Sequence, residues 1–372
     1  MPEAIFEIRR YILSFVNKQL PETGFPLDYR ALSSNSLGVA YGSAGIQYFL
    51  YQTSKDSRGE LEEVAIAKLL RSLDGQVSLM LPPGLYLGLT GIAWILLDIG
   101  FSEKAEYLMR QAYRMDTLMA AHDLFYGAAG WGLASLYFYY RTGLAEFLNM
   151  ALEAERCIEK HLLKSDNYLI YKNIDGHCYS GLMHGNAGLA LFYLRLYQAT
   201  RDEARLSIGM NLLNSEVARA EMANGKIAWR KDYGEKATYP YLRFGSAGIG
   251  QVVLRYYREL RQSSLLNLAK QIAQSLRGSF CVYPSQYLGM AGIGGFYLDL
   301  YRDTGDESYL QEASQLAGRI LLYGIKEVSG LAFPGEELAR ISCDVATGSA
   351  GVGLFFNRLQ MAGSAKELFL DF

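Results

Sequence analysis

Seven stretches of this chain are apolar on nearly every side: Ile46 to Tyr51, Ile92 to Leu97, Trp131 to Tyr140, Leu189 to Tyr197, Ile249 to Tyr257, Ile293 to Tyr301 and Val352 to Leu359. Each is long enough for a helix, and a helix apolar around most of its circumference is buried on most sides. Between them lie segments of a different kind, among them Glu60 to Leu73, Ser102 to Met115, Ala145 to Leu163, Leu265 to Leu276 and Ser308 to Leu322. These put Leu, Ile and Ala on one helical face and Lys, Arg, Glu and Gln on the other, the pattern of a helix that covers a core. Fully apolar and amphipathic helices therefore alternate along the chain.

Every apolar run is opened by the same block, Gly-x-x-Gly followed by a hydrophobic residue. The blocks begin at Gly42, Gly88, Gly127, Gly185, Gly245, Gly289 and Gly348, with 39 to 60 residues between starts. A repeat of this period identifies one array rather than several domains, so residues 1–372 are expected to form a single domain. Two geometries suit it: a linear solenoid, which needs polar capping repeats, or a closed ring. The first and last blocks, Gly42-Ser-Ala-Gly45-Ile and Gly348-Ser-Ala-Gly351-Val, are as apolar as the rest. Closure is preferred, and the expected fold is all-α: an α/α toroid of seven inner and seven outer helices. The first glycine of each block is expected to permit a sharp turn and the second a close approach of neighbouring helices. Seven helix N-termini at one mouth would present unpaired N–H groups and partial positive charge.

Composition narrows the function. A formal net charge of -2 without a long basic run offers no nucleic-acid surface. The most apolar stretch, Leu85 to Phe101, is broken by Asp98 and is short for a membrane span. The N-terminus has no signal-peptide core, and the four cysteines are widely scattered, unlike a disulfide framework. The expectation is a cytoplasmic protein with reduced thiols and no membrane or nucleic-acid partner. No phosphate-binding loop, dinucleotide fingerprint or kinase signature is present.

Aligned on the first glycine, each repeat is a control for the others. The residue just before it is Tyr41, Leu87, Tyr126, His184, Phe244, Leu288 or Thr347, and His184 alone among these shuttles protons near neutral pH. Four residues before the glycine, two repeats carry an acid, Asp123 and Asp344. Each has an ordinary structural reading, as a bonded histidine or a helix cap, but all three fall in equivalent turns. His177, Cys178 and His184 have no usual zinc spacing and lack a fourth ligand. Cys157 and Cys281 read as packing residues, and Cys343, beside Asp344, is the thiol closest to the expected mouth.

With His184-Gly185-Asn-Ala-Gly188 in the fourth repeat and Asp123 four before Gly127 in the third, the chain resembles the lanthionine synthetase C-like cyclases from about Leu37 onward. The resemblance implies Michael-type addition of a peptide cysteine thiol to dehydroalanine or dehydrobutyrine, with a dehydrated precursor peptide as partner. In zinc-dependent members the metal ligands stand at positions held here by Arg243, Tyr287 and Leu288, so no metal and no cofactor is expected. His184 and Asp123 match the family's His and Asp. The loss of the zinc ligands resembles the cyclase domain of class III synthetases, which implies lyase and kinase-like domains of the same synthetase as further partners.

On that resemblance His184 is expected to protonate the enolate, with Asp123 orienting it or acting as partner base and Arg243 stabilising negative charge. Tyr287, Asp344 and Thr347 are weaker candidates for substrate contact. Two other readings remain: a barrel that has lost its chemistry and only binds peptide or neighbouring domains, and a glycoside hydrolase using paired Asp123 and Asp344. Only 3 tryptophans offer sugar-stacking platforms, which disfavours the last.

Overall fold

The computed structural model describes residues 1–16, 25–27, 36–54, 59–74, 81–165, 167–223, 225–232, 234–279 and 281–372. Among these residues the chain is helical with a few short strands. It divides into two compact units. One holds residues 1–115, 282–295 and 313–365, and the other 116–281, 296–312 and 366–372.

The seven apolar runs all form helices: Ser43–Gln52, Leu89–Asp98, Ala128–Thr142, Asn186–Thr200, Ser246–Leu260, Met290–Thr304 and Ser349–Gln360. Burial follows the pattern of the chain. In Leu89–Asp98 every residue from Leu89 to Leu97 is buried, whereas Ser263–Leu276 buries one stripe, including Leu265, Ala269, Ile272, Ala273 and Leu276. Helix Leu89–Asp98 packs on Ser102–Tyr113, Ala128–Thr142 on Ala145–Glu159, Asn186–Thr200 on Glu203–Ala218, and Ser246–Leu260 on Ser263–Leu276. No amphipathic helix follows the last inner one among the described residues. The N-terminal helix Pro2–Leu13 packs there instead, against Ser349–Gln360 and the strand Gly330–Pro334.

Two expectations need correction. The amphipathic segment from Ala145 does not run to Leu163: the helix stops at Glu159, and Leu162–Ser165 pairs antiparallel with Tyr168–Tyr171. Further short ribbons join Glu221–Ala223 to Lys226–Ala228, and Ile325–Glu327 to Gly330–Pro334 to Ile341–Ser342. All lie in the loop insertions between repeats, where a two- to five-residue strand leaves too little alternation to be read. The glycines also act differently from the sharp-turn reading. Gly42, Gly88 and Gly127 have ordinary extended backbone, and of the block-opening glycines only Gly245 has positive φ, +93°. What demands glycine is the preceding turn folding back over the helix start. A Cβ on Gly88 would lie 1.9 Å from the Pro82 carbonyl oxygen, and one on Gly91 1.7 Å from that of Leu85.

Neighbouring turns are joined by one recurring backbone bond. Two residues before the first glycine, the N–H of one repeat donates to the carbonyl of the same position in the next. In one unit these bonds are Phe125 to Met183 (3.0 Å) and Met183 to Arg243 (3.2 Å). In the other they are Tyr287 to Ala346 (3.0 Å), Ala346 to Ala40 (2.8 Å) and Ala40 to Tyr86 (2.8 Å). The seventh repeat is thus bonded to the first, which a linear stack would keep apart. Side chains make the same join: a Cβ on Gly353 of the seventh inner helix would meet the Phe49 ring of the first at 2.4 Å. Gly132 with Phe192, Gly250 with Phe296 and Gly294 with Phe355 repeat that fit.

The same substitution should therefore have opposite signs at two sites. Gly91→Ala forces a Cβ into a backbone carbonyl and is expected to cost about 3 kcal/mol or more. Gly318→Ala, in the helix Glu307–Leu321 with nothing within 4 Å of the added carbon, should stabilise by roughly 0.5–1 kcal/mol. Denaturant unfolding of the two variants checks both signs.

Candidate active site

Three successive turns of one unit bring His184, Asp123 and Arg243 together. The bonds from Phe125 to Met183 to Arg243 set the three turns side by side, so residues at equivalent positions become neighbours. Asp123 divides its carboxylate between two tasks. One oxygen accepts the Tyr126 backbone N–H at 2.7 Å, pinning the turn, and the other accepts His184 Nδ1–H at 2.8 Å. Arg243 Nε donates to His184 Nε2 at 3.1 Å. An imidazole that donates from Nδ1 and accepts at Nε2 is neutral and of one tautomer.

The three side chains are buried, with 5%, 5% and 9% exposure for His184, Asp123 and Arg243. Burial holds the His184 pKa below its ordinary 6.5; the Asp123 carboxylate opposes that shift, and the Arg243 and Lys231 charges add to it. Aromatic rings complete the enclosure. The Phe244 ring stacks on His184 at 5.0 Å, Phe125 lies at 5.0 Å, Tyr126 at 5.5 Å and Tyr179 at 6.1 Å. Tyr126, 48% exposed, is the ring that solvent reaches most. Arg243 lies over Phe125 at 4.7 Å, and Lys231 over Phe244 at 5.2 Å.

This enclosure was legible in part. Tyr126 and Phe244 occupy the same register position as His184 in the flanking repeats, so setting equivalent turns side by side would have found them. Lys231 lies in a loop with no repeat register. Nor did the sequence show Glu216, on the helix Glu203–Ala218. Its carboxylate accepts the Gly181 N–H at 3.0 Å and faces the Asn186 and Ala187 N–H groups, while burial raises its pKa.

The expected rim of unpaired helix N–H groups is not what the turns provide. Ala128, Ala129 and Gly130 donate to the carbonyls of Ala121, His122 and Asp123, and Ser246, Ala247 and Gly248 to those of Tyr239, Pro240 and Tyr241. These two turns thus close over their own helix starts, sparing roughly 1–3 kcal/mol for every buried donor that would otherwise go unpaired. Positive charge near His184 comes from the side chains of Arg243 and Lys231.

Tyr287, Asp344 and Thr347 belong to the other unit. Tyr287 is buried, its ring edge-on to Tyr86 at 5.6 Å. Asp344 is fully buried and repeats the turn-pinning role of Asp123: it accepts the Thr347 N–H at 2.7 Å and the Thr347 hydroxyl at 3.0 Å, and its second oxygen also takes the Ser342 hydroxyl. Burial, with the Asp344 charge, pushes the Cys343 thiol pKa well up, so this cysteine is held as a thiol. His177 pairs with Asp232 at 2.6 Å on the surface rather than with His184. Among the described residues no helix is long and apolar enough to cross a membrane.

The chain was compared with known proteins. Residues 33–370 match the family model described as lanthionine synthetase C-like protein. A probable SapB synthase of Streptomyces coelicolor is 30% identical over 325 residues, covering 86% of this chain and 34% of that protein. The chain therefore spans about a third of the length of this relative. Among solved structures, nisin cyclase superposes with a TM-score of 0.66 at 16% identity, over 87% of this chain and 89% of that one. A family 76 glycoside hydrolase (mannosidase) from Bacteroides thetaiotaomicron gives 0.55 at 13% identity, over 97% and 98%. At such identities the likeness shows fold alone, and that fold is the α/α toroid expected from the sequence. With the family model matched over all seven glycine blocks, the chain belongs to the lanthionine synthetase C-like family.

Proposed function

We propose that this chain is the cyclase part of a class III-type lanthipeptide synthetase, closing thioether rings (lanthionine or labionin) in a dehydrated precursor peptide without zinc. The observation that carries the reading is the buried Asp123–His184–Arg243 relay. Relatives supply the reaction class: similarity to a probable SapB synthase and a fold shared with nisin cyclase. On this reading the lyase and kinase-like domains of the same synthetase are its partners, and the cytoplasm its compartment.

The residues at the family's metal positions do not fit a cation. Leu288 has no donor atom, and the Arg243 guanidinium, itself cationic, donates its Nε–H to an imidazole. The chain's own side chains must therefore carry the proton transfers and the charge. Thiol activation falls to the neutral imidazole. When substrate draws Arg243 off His184 Nε2, that lone pair takes the proton of the peptide thiol. The thiolate sulfur bonds to the β-carbon of the dehydroamino acid, and the alkene π pair moves to the α-carbon and its carbonyl as an enolate. The Arg243 guanidinium stabilises the enolate oxygen. His184 returns its proton to the α-carbon, leaving mass and net charge unchanged. Asp123, locked by the Tyr126 N–H, holds the tautomer and stabilises the transient imidazolium.

One observation favours a second reading, a barrel that only binds peptide: Arg243 occupies the nitrogen that the chemistry needs. The glycoside hydrolase reading has no comparable support, since Asp344 is fully buried and bonded within its own turn. Thiol alkylation and mass spectrometry after mixing with dehydrated peptide separate the first two. Cyclisation should consume free thiol at constant mass, persist with a chelator, and slow roughly 10²–10⁴-fold in His184→Ala. Ring formation at the wild-type rate in that variant would remove the catalytic assignment of His184, and a parent chain that binds the peptide without consuming thiol would leave only binding.

The pH profile gives an independent check. Because burial and Arg243 hold His184 below 6.5, its neutral form prevails at pH 7, and the acid limb of kcat/KM should lie below 6.5. Arg243→Ala removes a lowering influence and should move that limb up. Asp123→Asn removes a raising one and should move it down.

A further inference from the structure

A second cluster lies in the same unit, independent of the reading above. His122 precedes Asp123 in the third turn, and its ring stacks on that of His161 with centroids 3.8 Å apart. It is 9% exposed, and its Nε2 is buried without a hydrogen-bond partner. Cys157, on the helix Ala145–Glu159, has a free, half-buried thiol. His161, exposed just beyond that helix, bonds through Nδ1 to the Cys157 carbonyl at 2.8 Å. One candidate ligand atom from each of the three residues lies within 4.8 Å of the others.

An ordinary packing role explains this badly. A buried nitrogen without a partner is destabilising, and two stacked imidazoles beside a thiol gain no ion pair in return. As metal ligands the three make chemical sense. The His161 bond to the backbone carbonyl keeps the proton on Nδ1 and leaves Nε2 as the lone-pair atom, the usual outer-sphere support of a ligating histidine. A thiolate with two imidazoles suits a borderline cation such as zinc. Bond lengths of about 2.0–2.3 Å at tetrahedral angles put ligand atoms ~3.3–3.7 Å apart. The cluster therefore needs a contraction of no more than ~1.5 Å, which the exposed His161 beyond its helix end is placed to supply.

We propose that His122, Cys157 and His161 form a zinc site that ties the third turn to the end of its own outer helix. The Cys157 S–H bond breaks on binding, its electron pair goes to the metal and its proton to solvent. Water fills the fourth position. This site shares no ligand with the family's metal positions and takes no part in cyclisation.

The test is a cobalt(II) titration of the full chain, followed by competition with zinc. One equivalent should give tetrahedral cobalt bands with a near-ultraviolet thiolate charge-transfer band, and zinc should displace it. Cys157→Ser should abolish the charge-transfer band while leaving thioether formation at the wild-type rate. His161→Ala, a change at an exposed side chain, should weaken zinc by about tenfold or more. Absence of a thiolate band in the parent chain, or zinc stoichiometry unchanged in Cys157→Ser, overturns the proposal. Those outcomes leave the cyclase reading untouched, which fails instead if cyclisation is lost on chelation in the Cys157→Ser background.

Discussion

A single backbone hydrogen bond, repeated between equivalent turns, is the constraint on which the site depends. It joins the third, fourth and fifth repeats through Phe125, Met183 and Arg243, and the sixth, seventh, first and second through Tyr287, Ala346, Ala40 and Tyr86. Because the bonded positions are the same in every repeat, the residue just after each is also set beside its counterparts. Tyr126, His184 and Phe244 become a row of rings for that reason. The acid at Asp123 reaches the imidazole because its turn is fixed one step away. Chemistry assembled from three distant segments is thereby held by main-chain geometry that any side chain tolerates, which leaves each repeat free to vary the residues it displays.

The glycines serve the same arrangement. A turn can fold back onto the start of its own helix only if no Cβ stands where its carbonyls must come. At Gly91, Gly188 and Gly351 the carbonyl three residues before the first glycine would lie about 2 Å or less from an added carbon, at 1.7, 2.1 and 2.0 Å. Folding back also satisfies the helix N–H groups, so the electrostatics of the site pass from the backbone to side chains. The fourth repeat departs from its neighbours: Glu216 reaches in from an outer helix to serve the Gly181 N–H. A carboxylate thus serves the turn that presents His184, while Arg243 donates to the imidazole and the Arg243 and Lys231 charges act on it.

Much of this was written in the repeat. Apolar runs and amphipathic intervals marked the inner and outer helices, because burial on all sides and burial on one side leave different residue patterns. The His184 and Asp123 pairing could be read because six other repeats showed what an unremarkable turn looks like. The inner-helix fit was equally open to reading, since glycine five residues into a block and phenylalanine seven into the next recur at Gly132 and Phe192 and at Gly353 and Phe49. What stayed hidden came from outside the repeat register. Glu216 sits on an outer helix, Lys231 in an insertion, and the ribbon at Leu162–Ser165 replaces helix where the chain's local preference was still helical. The pairing of His122 with Cys157 and His161 needed the end point of that helix, which composition alone placed too late.

Arg243 has a double consequence for the imidazole. Its Nε–H engages the His184 lone pair and its charge discourages protonation, so the resting imidazole is neutral but masked. A zinc ion would activate a thiol by binding its sulfur and so lowering its pKa. A guanidinium cannot bind sulfur as a ligand, but it can stabilise an oxyanion that appears later in the reaction. On the proposed function, Arg243 at a metal position would move the positive charge from the nucleophile to the electrophile. On that reading thiol activation would fall to a buried base whose pKa is held low, which would make His184 a modest acceptor of the thiol proton and, once charged, a strong donor to the α-carbon. Such a site would be weighted toward the second half of the addition, where the enolate must be quenched.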